Sequence, residues 1–217
     1  MRKEYTESDR TTKVVGLIPA RYHSSRFEGK PLAMISGIPM IQRVYNQSMQ
    51  SKSLASVIVL TDNSDIYDFC LSMRMKCLIV NGDCFTGTDR CAKAIKDIEG
   101  DVFVNIQGDE PLINPEAIDK LVESHTLGSV SNAYVELDFF SEKRHDNNVV
   151  KVVTDTYDNA LYYSRLSIPY VQKEETIVKQ QLGLYAFNRE FLEIFSTLPV
   201  GDLEKSESVE MFRFIEN

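Results

Sequence analysis

The first 137 residues alternate short apolar runs with stretches in which apolar residues recur at helical spacing. The apolar runs predict strands at Val14–Ile18, Val57–Leu60, Lys76–Val80, Val102–Ile106 and Ser131–Leu137. The helical spacing predicts helices over about Pro39–Met49, Ser64–Met73, Thr88–Ile98 and Pro115–Glu123. This alternation predicts an α/β fold, with a mostly parallel, Rossmann-like sheet between two layers of helices.

The pattern changes after Asn147, where strand-like runs follow one another with few helices between them. Strands are predicted at Val149–Thr154, Ala160–Ser164 and Leu182–Phe187, and the last residues, from Gly201 to Asn217, end in a helix-like pattern. We therefore expect a single domain over residues 14–217, with a core at 14–137 and a smaller, partly antiparallel lobe at about 149–200. Residues 1–13 form a polar N-terminal extension.

The composition of the 217 residues excludes several classes of protein. No run of about 18 apolar residues occurs, so no membrane span is expected, and the polar N-terminus lacks the apolar centre of a signal peptide, which predicts a cytoplasmic protein. A net charge of -8 argues against a nucleic-acid partner. The four cysteines are seven residues apart and form no C-x-x-C pair, so we expect ordinary reduced thiols.

The loop after the first predicted strand is cationic, in contrast to the chain as a whole. Arg21, Arg26 and Lys30 lie within ten residues of one another, and only Glu28 offsets them. Ligands of open α/β sheets bind outside the carboxyl ends of the strands, so this loop is placed to hold a polyanion such as a nucleoside triphosphate. The loop lacks the glycine spacing of a P-loop or a dinucleotide-binding loop. The alternative is a solvated basic turn.

Two further predicted strands also end in polar loops. Asp109 follows Gly108 after the fourth predicted strand, and a carboxylate there could hold Mg²⁺ together with phosphate oxygens; the alternative is a plain turn. Thr86, Thr88 and Arg90 lie at a predicted helix start, which offers free N–H groups and a cation; the alternative is a capped helix. We expect all three loops to face one crevice.

The chain contains several recognisable motifs in order: Pro19-Ala20-Arg21-x-x-Ser24-Ser25-Arg26-x-x-Gly29-Lys30-Pro31-Leu32, Gly87-Thr88-Asp89-Arg90, Asn105-Ile106-Gln107-Gly108-Asp109-Glu110-Pro111, Val150-Lys151-Val152-Val153, Leu161-Tyr162-Tyr163-Ser164-Arg165-x-x-Ile168-Pro169 and Leu182-Gly183-Leu184-Tyr185. This set resembles the 3-deoxy-manno-octulosonate (Kdo) cytidylyltransferases, also called CMP-Kdo synthetases. The resemblance implies a three-layer nucleotidyltransferase fold, transfer of CMP from CTP to Kdo with release of pyrophosphate, and dependence on Mg²⁺. It also implies a homodimer formed through the second lobe, and a role in lipopolysaccharide or capsule synthesis.

The resemblance implies roles for individual residues as well. Catalysis is expected of Arg21, Lys30 and Asp109, with Asp109 as the metal ligand. Nucleotide binding is expected of Pro19, Ala20, Arg21, Arg26, Lys30, Gly87, Thr88, Arg90 and Gln107. Sugar binding is expected of Gln107, Arg165, Gln181, Tyr185 and Glu210.

Two positions depart from the family pattern. Gln181 stands where the family usually has histidine, and Met211 stands where it usually has glutamine after Glu210. Both lie in the part that the resemblance assigns to the sugar, so we expect a modified Kdo or another ulosonic acid as acceptor. The sequence also ends at Asn217, before a family segment whose aspartate is the second metal ligand. Two other functions are alternatives to transfer of CMP to Kdo: the protein could be a synthetase for a sialic-acid-like nonulosonate, or a non-catalytic homologue that binds nucleotide.

Overall fold

A computed structural model describes residues 12–23, 27–126, 129–170, 172 and 176–217. Its strands are β1 (Val14–Ala20), β2 (Met34–Ile35), β3 (Ile38–Pro39), β4 (Ser56–Thr61), β5 (Cys77–Ile79), β6 (Val102–Ile106), β7 (Val130–Leu137), β8 (Lys151–Thr154), β9 (Ala160–Ser164) and β10 (Val178–Asn188). Its helices are α1 (Met40–Ser48), α2 (Ser64–Ser72), α3 (Gly87–Ala94), α4 (Pro115–Ser124), α5 (Arg189–Phe195), α6 (Asp202–Glu207) and α7 (Phe212–Glu216).

Eight strands form one sheet in the order β5-β4-β1-β6-β10-β8-β9, with β7 paired to β10, and β2 and β3 form a separate hairpin. The four strands β5, β4, β1 and β6 are parallel to one another. Strand β10 runs antiparallel to β6, and the pairs that it makes with β7 and β8 are antiparallel too. The predicted α/β fold is confirmed, and the strands of the second half extend the same sheet.

Helices cover both faces of the sheet, as the near-continuous apolar strands predict. On one face, Val15, Leu17 and Phe103 pack in a cluster with buried side chains of α3, α5 and α7. On the other face, Val14 and Ile18 pack in a cluster with buried side chains of α1, α2 and α4. Every residue of β6 is buried, so β6 is the centre of the core. Within the described part of the chain, no helix combines the length and the apolar character that crossing a membrane requires.

Three elements differ most from the prediction. Helix α3 ends at Ala94 because a 3-10 turn at Ile95–Asp97 replaces its last part. Strand β10 has 11 residues, since its polar first half, starting at Val178, pairs with β7 and β8. Helix α5 was not predicted. The guanidinium group of Arg189, its first residue, binds the carbonyl oxygens of Ile95, Ile98 and Gly100, contacts that sequence periodicity does not reveal.

Candidate active site

Three loops meet at Pro19, at the carboxyl end of β1. A Cβ atom added to Gly108, after β6, would lie 2.7 Å from the Pro19 carbonyl oxygen, and one added to Gly87 would lie 3.0 Å from Pro19 Cγ. Glycine at these two positions therefore allows the loops before α3 and after β6 to approach the β1 loop closely. The expectation that the three loops face one crevice is confirmed.

The crevice is a cavity of about 480 Å³, a size typical of small-molecule sites. Thr88 is fully buried and does not line it, and Arg26 lies outside the described residues. The predicted nucleotide-binding and catalytic residues that do line the cavity are Pro19, Ala20, Arg21, Lys30, Gly87, Arg90, Gln107 and Asp109.

The most prominent charged contact in the cavity joins its two sides. Lys30 Nζ lies 2.7 Å from Asp109 Oδ2, and the two side chains are 40% and 49% exposed. Lys30 is held at the start of a short 3-10 turn, because Gly29 takes a φ of 66° and its N–H donates to the Tyr22 carbonyl at 2.9 Å. An ion pair this exposed contributes about 0–1 kcal/mol, so an anion or a cation can displace either partner at little cost.

The two described arginines of the cavity differ in their surroundings. Arg21 is exposed at the end of β1. Arg90 is only 5% exposed, and its guanidinium group donates to Asp62 Oδ2 at 2.6 Å and to the Val80 carbonyl at 3.1 Å. Because Asp62 and Val80 directly follow β4 and β5, Arg90 holds these strand ends against α3. The positive charge of Arg90, which we predicted to bind the nucleotide, is therefore paired with Asp62 within the protein.

The first turn of α3 forms one wall of the cavity and is tightly fixed. Thr86 and Asp89 form a capping box, in which Asp89 N–H donates to Thr86 Oγ1 at 3.1 Å and Thr86 N–H donates to Asp89 Oδ2 at 2.8 Å. The N–H of Thr88 donates to Glu210 Oε2 at 3.1 Å, and Asn105 Nδ2 donates to Thr88 Oγ1 at 2.9 Å. The N-terminus of α3 is therefore anchored both to β6 and to the last residues of the chain.

Gln107 and Glu210, both predicted to bind sugar, lie next to each other, but only Gln107 lines the cavity. Gln107 Nε2 lies 3.5 Å from Glu210 Oε1. A Cβ atom on Gly183 would overlap the Gln107 side chain, so glycine there leaves room for it. Burial raises the pKa of the Glu210 carboxyl above its ordinary value, while the hydrogen bond from the Thr88 backbone opposes the rise.

Gln181 and Tyr185, also predicted to bind sugar, do not line the cavity. Gln181 Nε2 donates to Tyr185 Oη at 2.7 Å, and burial raises the pKa of the Tyr185 phenol, with a further contribution from Glu210. Met211 is 3% exposed and belongs to the apolar core. Gln181 therefore binds Tyr185 and Met211 packs in the core, so neither departure from the family pattern changes a residue that lines the cavity.

The structure does not bring Arg165 to the cavity. This residue follows β9, where its Nε donates to the Glu207 carbonyl at 2.8 Å and its Nη1 donates to the Asn147 carbonyl at 3.1 Å. Its backbone N–H donates to Glu207 Oε2 at 2.8 Å. Within this chain, Arg165 is held by α6 and by the loop before β8.

Two aromatic residues of the cavity were missed in the sequence. Phe27 and Phe85 are 54% and 80% exposed, and both line the cavity. Each lies in a predominantly polar loop, outside the apolar runs that form the core. An isolated aromatic residue in a predicted ligand-binding loop was the signal that could have found them.

The comparisons with known proteins agree with this site. A family model described as cytidylyltransferase matches residues 15–217. This chain belongs to the cytidylyltransferase family. It is 40% identical to a 3-deoxy-manno-octulosonate cytidylyltransferase of Desulfosudis oleivorans, over 94% of this chain and 86% of the relative. It is 41% identical to an 8-amino-3,8-dideoxy-manno-octulosonate cytidylyltransferase of Shewanella halifaxensis, over 92% of this chain and 84% of the relative.

A solved structure agrees with the sequence relatives of this cytidylyltransferase. The structure of a CMP:2-keto-3-deoxy-manno-octonic acid synthetase complexed with CTP superimposes with a TM-score of 0.88 at 35% identity. The match covers 94% of this chain and 86% of that one. The predicted family and the predicted class of enzyme, a nucleotidyltransferase, are confirmed.

Proposed function

We propose that this protein transfers CMP from CTP to the anomeric hydroxyl of a 3-deoxy-ulosonic acid, either Kdo or a modified Kdo, with release of pyrophosphate. The observation that carries the proposal is the meeting of three polar loops around an exposed lysine–aspartate pair, in a chain of the cytidylyltransferase family. Such a reaction needs no nucleophilic side chain, because positioning of the two substrates and stabilisation of charge supply the catalysis.

Arg21 and Lys30 bind the triphosphate of CTP in this proposal. Both line the cavity, and Lys30 is paired only with an exposed carboxylate that a phosphate can replace. Arginine suits a phosphate because its planar group donates two parallel hydrogen bonds, while lysine acts as a point charge. The N-terminus of α3 adds a favourable helix dipole at the opposite wall.

Asp109 is the proposed ligand of Mg²⁺. Its side chain faces the cavity and is half exposed, and among the described residues no three histidine, cysteine or acidic side chains form a cluster suited to a metal. A site with one carboxylate fits Mg²⁺, which commonly binds one or two carboxylates together with substrate phosphates. Bound there, the ion would neutralise charge on the phosphates. Asp109 would hold the ion, and Lys30 would then be free to contact the triphosphate.

The acceptor sugar is proposed to bind beside Gln107. Because Gln107 directs its Nε2 towards Glu210, its carbonyl oxygen is left to accept a hydrogen bond from the sugar. Relatives of nearly equal identity are named for Kdo and for its 8-amino derivative, so identity does not separate these two acceptors. Gln181 does not line the cavity, so its proposed preference for a modified sugar acts indirectly, through its hydrogen bond to Tyr185, whose phenol is influenced by Glu210.

A panel of acceptors tests this proposal. Pyrophosphate release is measured with CTP, Mg²⁺ and, in turn, Kdo, 8-amino-3,8-dideoxy-manno-octulosonate and a sialic-acid-like nonulosonate. We expect turnover with the two octulosonates and a higher kcat/KM for the amino sugar. A higher kcat/KM for plain Kdo would overturn the preference alone, and turnover confined to the nonulosonate would overturn the substrate class. No pyrophosphate from any acceptor would favour a non-catalytic, nucleotide-binding protein.

We further propose a homodimer formed through the antiparallel half of the sheet, and a cytoplasmic role in supplying activated sugar for lipopolysaccharide or capsule. The antiparallel half exposes large apolar side chains, which favours burial against a second copy. Light scattering coupled to size-exclusion chromatography should give twice the chain mass of 24.7 kDa. The exposed residues that support this surface are Val135, Leu161, Leu166, Tyr170 and Ile177.

A further inference from the structure

A cluster of three buried charges lies next to the cavity but does not line it. Arg213 of α7 is 2% exposed, Glu204 of α6 is 5% exposed and Asp89 of α3 is 9% exposed. Arg213 donates to both Glu204 oxygens, at 2.9 and 2.6 Å, and to Asp89 Oδ1 at 2.5 Å. The guanidinium carbon also lies 4.1 Å from the centre of the Phe195 ring.

The cluster is connected to the wall of the cavity through Asp89. While Asp89 Oδ1 contacts Arg213, its Oδ2 closes the capping box with Thr86, which lines the cavity. The same C-terminal segment provides Glu210, whose Oε2 accepts the Thr88 N–H. Two separate contacts from residues 204–213 therefore fix the first turn of α3.

In this cluster the carboxylates of Asp89 and Glu204 both accept hydrogen bonds from the guanidinium group of Arg213. A guanidinium group can bind both because it has five N–H donors in a fixed planar arrangement. Burial alone would lower the pKa of Arg213, but its hydrogen bonds to Glu204 and Asp89 raise it, so the group stays charged. Buried ion pairs are poor sources of stability compared with apolar packing, yet removing one partner leaves an uncompensated charge. An ionic arrangement at this position therefore favours one orientation of α3 over others.

We infer that Arg213 is a positioning residue, which through Asp89 and Glu204 holds the N-terminus of α3 in the orientation that binds the nucleotide. The inference rests on the proposed function for the identity of that ligand. Small misplacements of a binding group are costly: a shift of about 1 Å can reduce a rate about a hundredfold. Arg213 itself does not touch the ligand.

The chain offers a matched control at the other end of the same helix. Arg189 binds the carbonyl oxygens of Ile95, Ile98 and Gly100, and its guanidinium carbon lies 5.0 Å from the centre of the Phe103 ring. Arg213→Lys and Arg189→Lys each keep one positive charge and remove one arginine fork. Arg213→Lys removes a guanidinium group beside the cavity, whereas Arg189→Lys removes one at the C-terminal end of α3.

The experiment compares CTP affinity by calorimetry, Tm and amide hydrogen exchange in the full-length wild type and both variants. We expect Arg213→Lys to weaken CTP binding on the order of tenfold and to speed exchange at residues 87–89, because the first turn of α3 loses its anchor. We expect Arg189→Lys to lower Tm and speed exchange near residues 95–98 while CTP affinity stays within about twofold of the wild type.

The inference would be overturned if CTP affinity were unchanged in Arg213→Lys. It would also be overturned if both variants lost CTP affinity in proportion to their loss of Tm, because general destabilisation would then explain the effect. If wild-type protein bound no CTP, the proposed function would fail, and exchange would decide the inference alone: faster exchange at residues 87–89 in Arg213→Lys supports it, and unchanged exchange overturns it. If Arg213→Lys did not fold, Glu204→Gln would replace it. This change removes the carboxylate that orients the Arg213 guanidinium group while Asp89 still contacts it, so we expect faster exchange at residues 87–89 and weaker CTP binding, both smaller than in Arg213→Lys; no change in either would overturn the inference.

Discussion

Two lysine–aspartate pairs of nearly equal length lie in the two halves of the sheet. Lys30 Nζ lies 2.7 Å from Asp109 Oδ2 at the cavity, and Lys179 Nζ lies 2.6 Å from Asp158 Oδ1 among the antiparallel strands. Lys179 also lies 2.7 Å from Thr154 Oγ1, and only 17% of its side chain is exposed. The lysine of the second pair is therefore satisfied by the protein itself, although Asp158 is 63% exposed, whereas the lysine of the first pair is 40% exposed and is left partly to solvent and to a ligand.

The antiparallel half contains a still more extreme case. Lys151 is fully buried, and its ammonium group donates to the carbonyl oxygens of Asp146, Val149 and Arg165 at 2.6–2.9 Å. Burial lowers the pKa of this lysine, but all three of its donors are used. A lysine whose hydrogen-bond donors are all used within the protein, such as Lys151, stabilises the fold. A lysine that is only partly paired, such as Lys30, remains available to bind a ligand.

The largest effect is expected from Asp109→Asn. The change keeps the size of the side chain but removes the charge proposed to hold Mg²⁺, so turnover at limiting Mg²⁺ should fall on the order of a hundredfold. The control is Asp155→Asn, in a turn between β8 and β9, where the aspartate accepts only local hydrogen bonds from Tyr157 and Asn159. Pyrophosphate release across a Mg²⁺ titration is the measurement. Equal turnover of the two variants would make Asp109 a turn residue like Asp155.

A large effect of another kind is expected from Lys151→Met. The three carbonyl groups lose their common donor, so the free energy of unfolding should fall by about 2 kcal/mol, while CTP affinity stays unchanged. Urea denaturation and CTP titration are the measurements. Lys205→Met, at a lysine whose side chain is 63% exposed, should change stability by less than about 0.5 kcal/mol. If Lys151→Met lost CTP binding, the claim that Lys151 stabilises the fold without taking part in ligand binding would be wrong.

A smaller effect is expected from Lys30→Ala. Charge-assisted contacts contribute roughly 1.5–3 kcal/mol, so CTP binding should weaken on the order of tenfold or more, with little change in Tm. Lys179→Ala breaks an ion pair of the same length in the antiparallel half and should leave CTP affinity unchanged. Calorimetric titration of both variants gives the answer, and a CTP affinity that is equal in Lys30→Ala and wild type would contradict the triphosphate assignment.

The smallest effect concerns Glu210, which is partly buried and contacts a cavity residue, Gln107. Its pKa in the folded protein is raised above the ordinary value of 4.5, so its contribution to stability is present at low pH and is lost as pH rises through the folded pKa. Glu210→Gln cannot ionise. The variant should therefore gain stability relative to the wild type as pH rises above about 4.5. A difference in unfolding free energy that does not change with pH would show that the carboxyl titrates normally.

The cavity was predictable from the sequence because its parts are local. Apolar runs located β1 and β6, and the residues that follow each run, such as Arg21 and Asp109, had to lie at one edge of a parallel sheet. The close approach of Gly108 to the Pro19 carbonyl, by contrast, joins two loops and was not predicted from the sequence.

The parts that escaped prediction depend on contacts between distant residues. Asp89 and Arg213 are 124 positions apart, so no spacing rule could join them. Arg90 was expected at the nucleotide as a cation, but its partners, Asp62 and Val80, become neighbours only when β4 and β5 pair. Helix α5 was missed for the same reason, since tertiary contacts of Arg189 help to define its start.

Amide hydrogen exchange of the wild-type protein, with and without CTP and Mg²⁺, tests the central claim most directly. The claim is that CTP binds at the carboxyl ends of the parallel strands. Saturating CTP should slow exchange in the cavity loops at residues 19–23, 27–32, 81–90 and 105–111 and leave β8 and β9 unchanged. Protection confined to the antiparallel half, or no protection at saturating CTP, would contradict it.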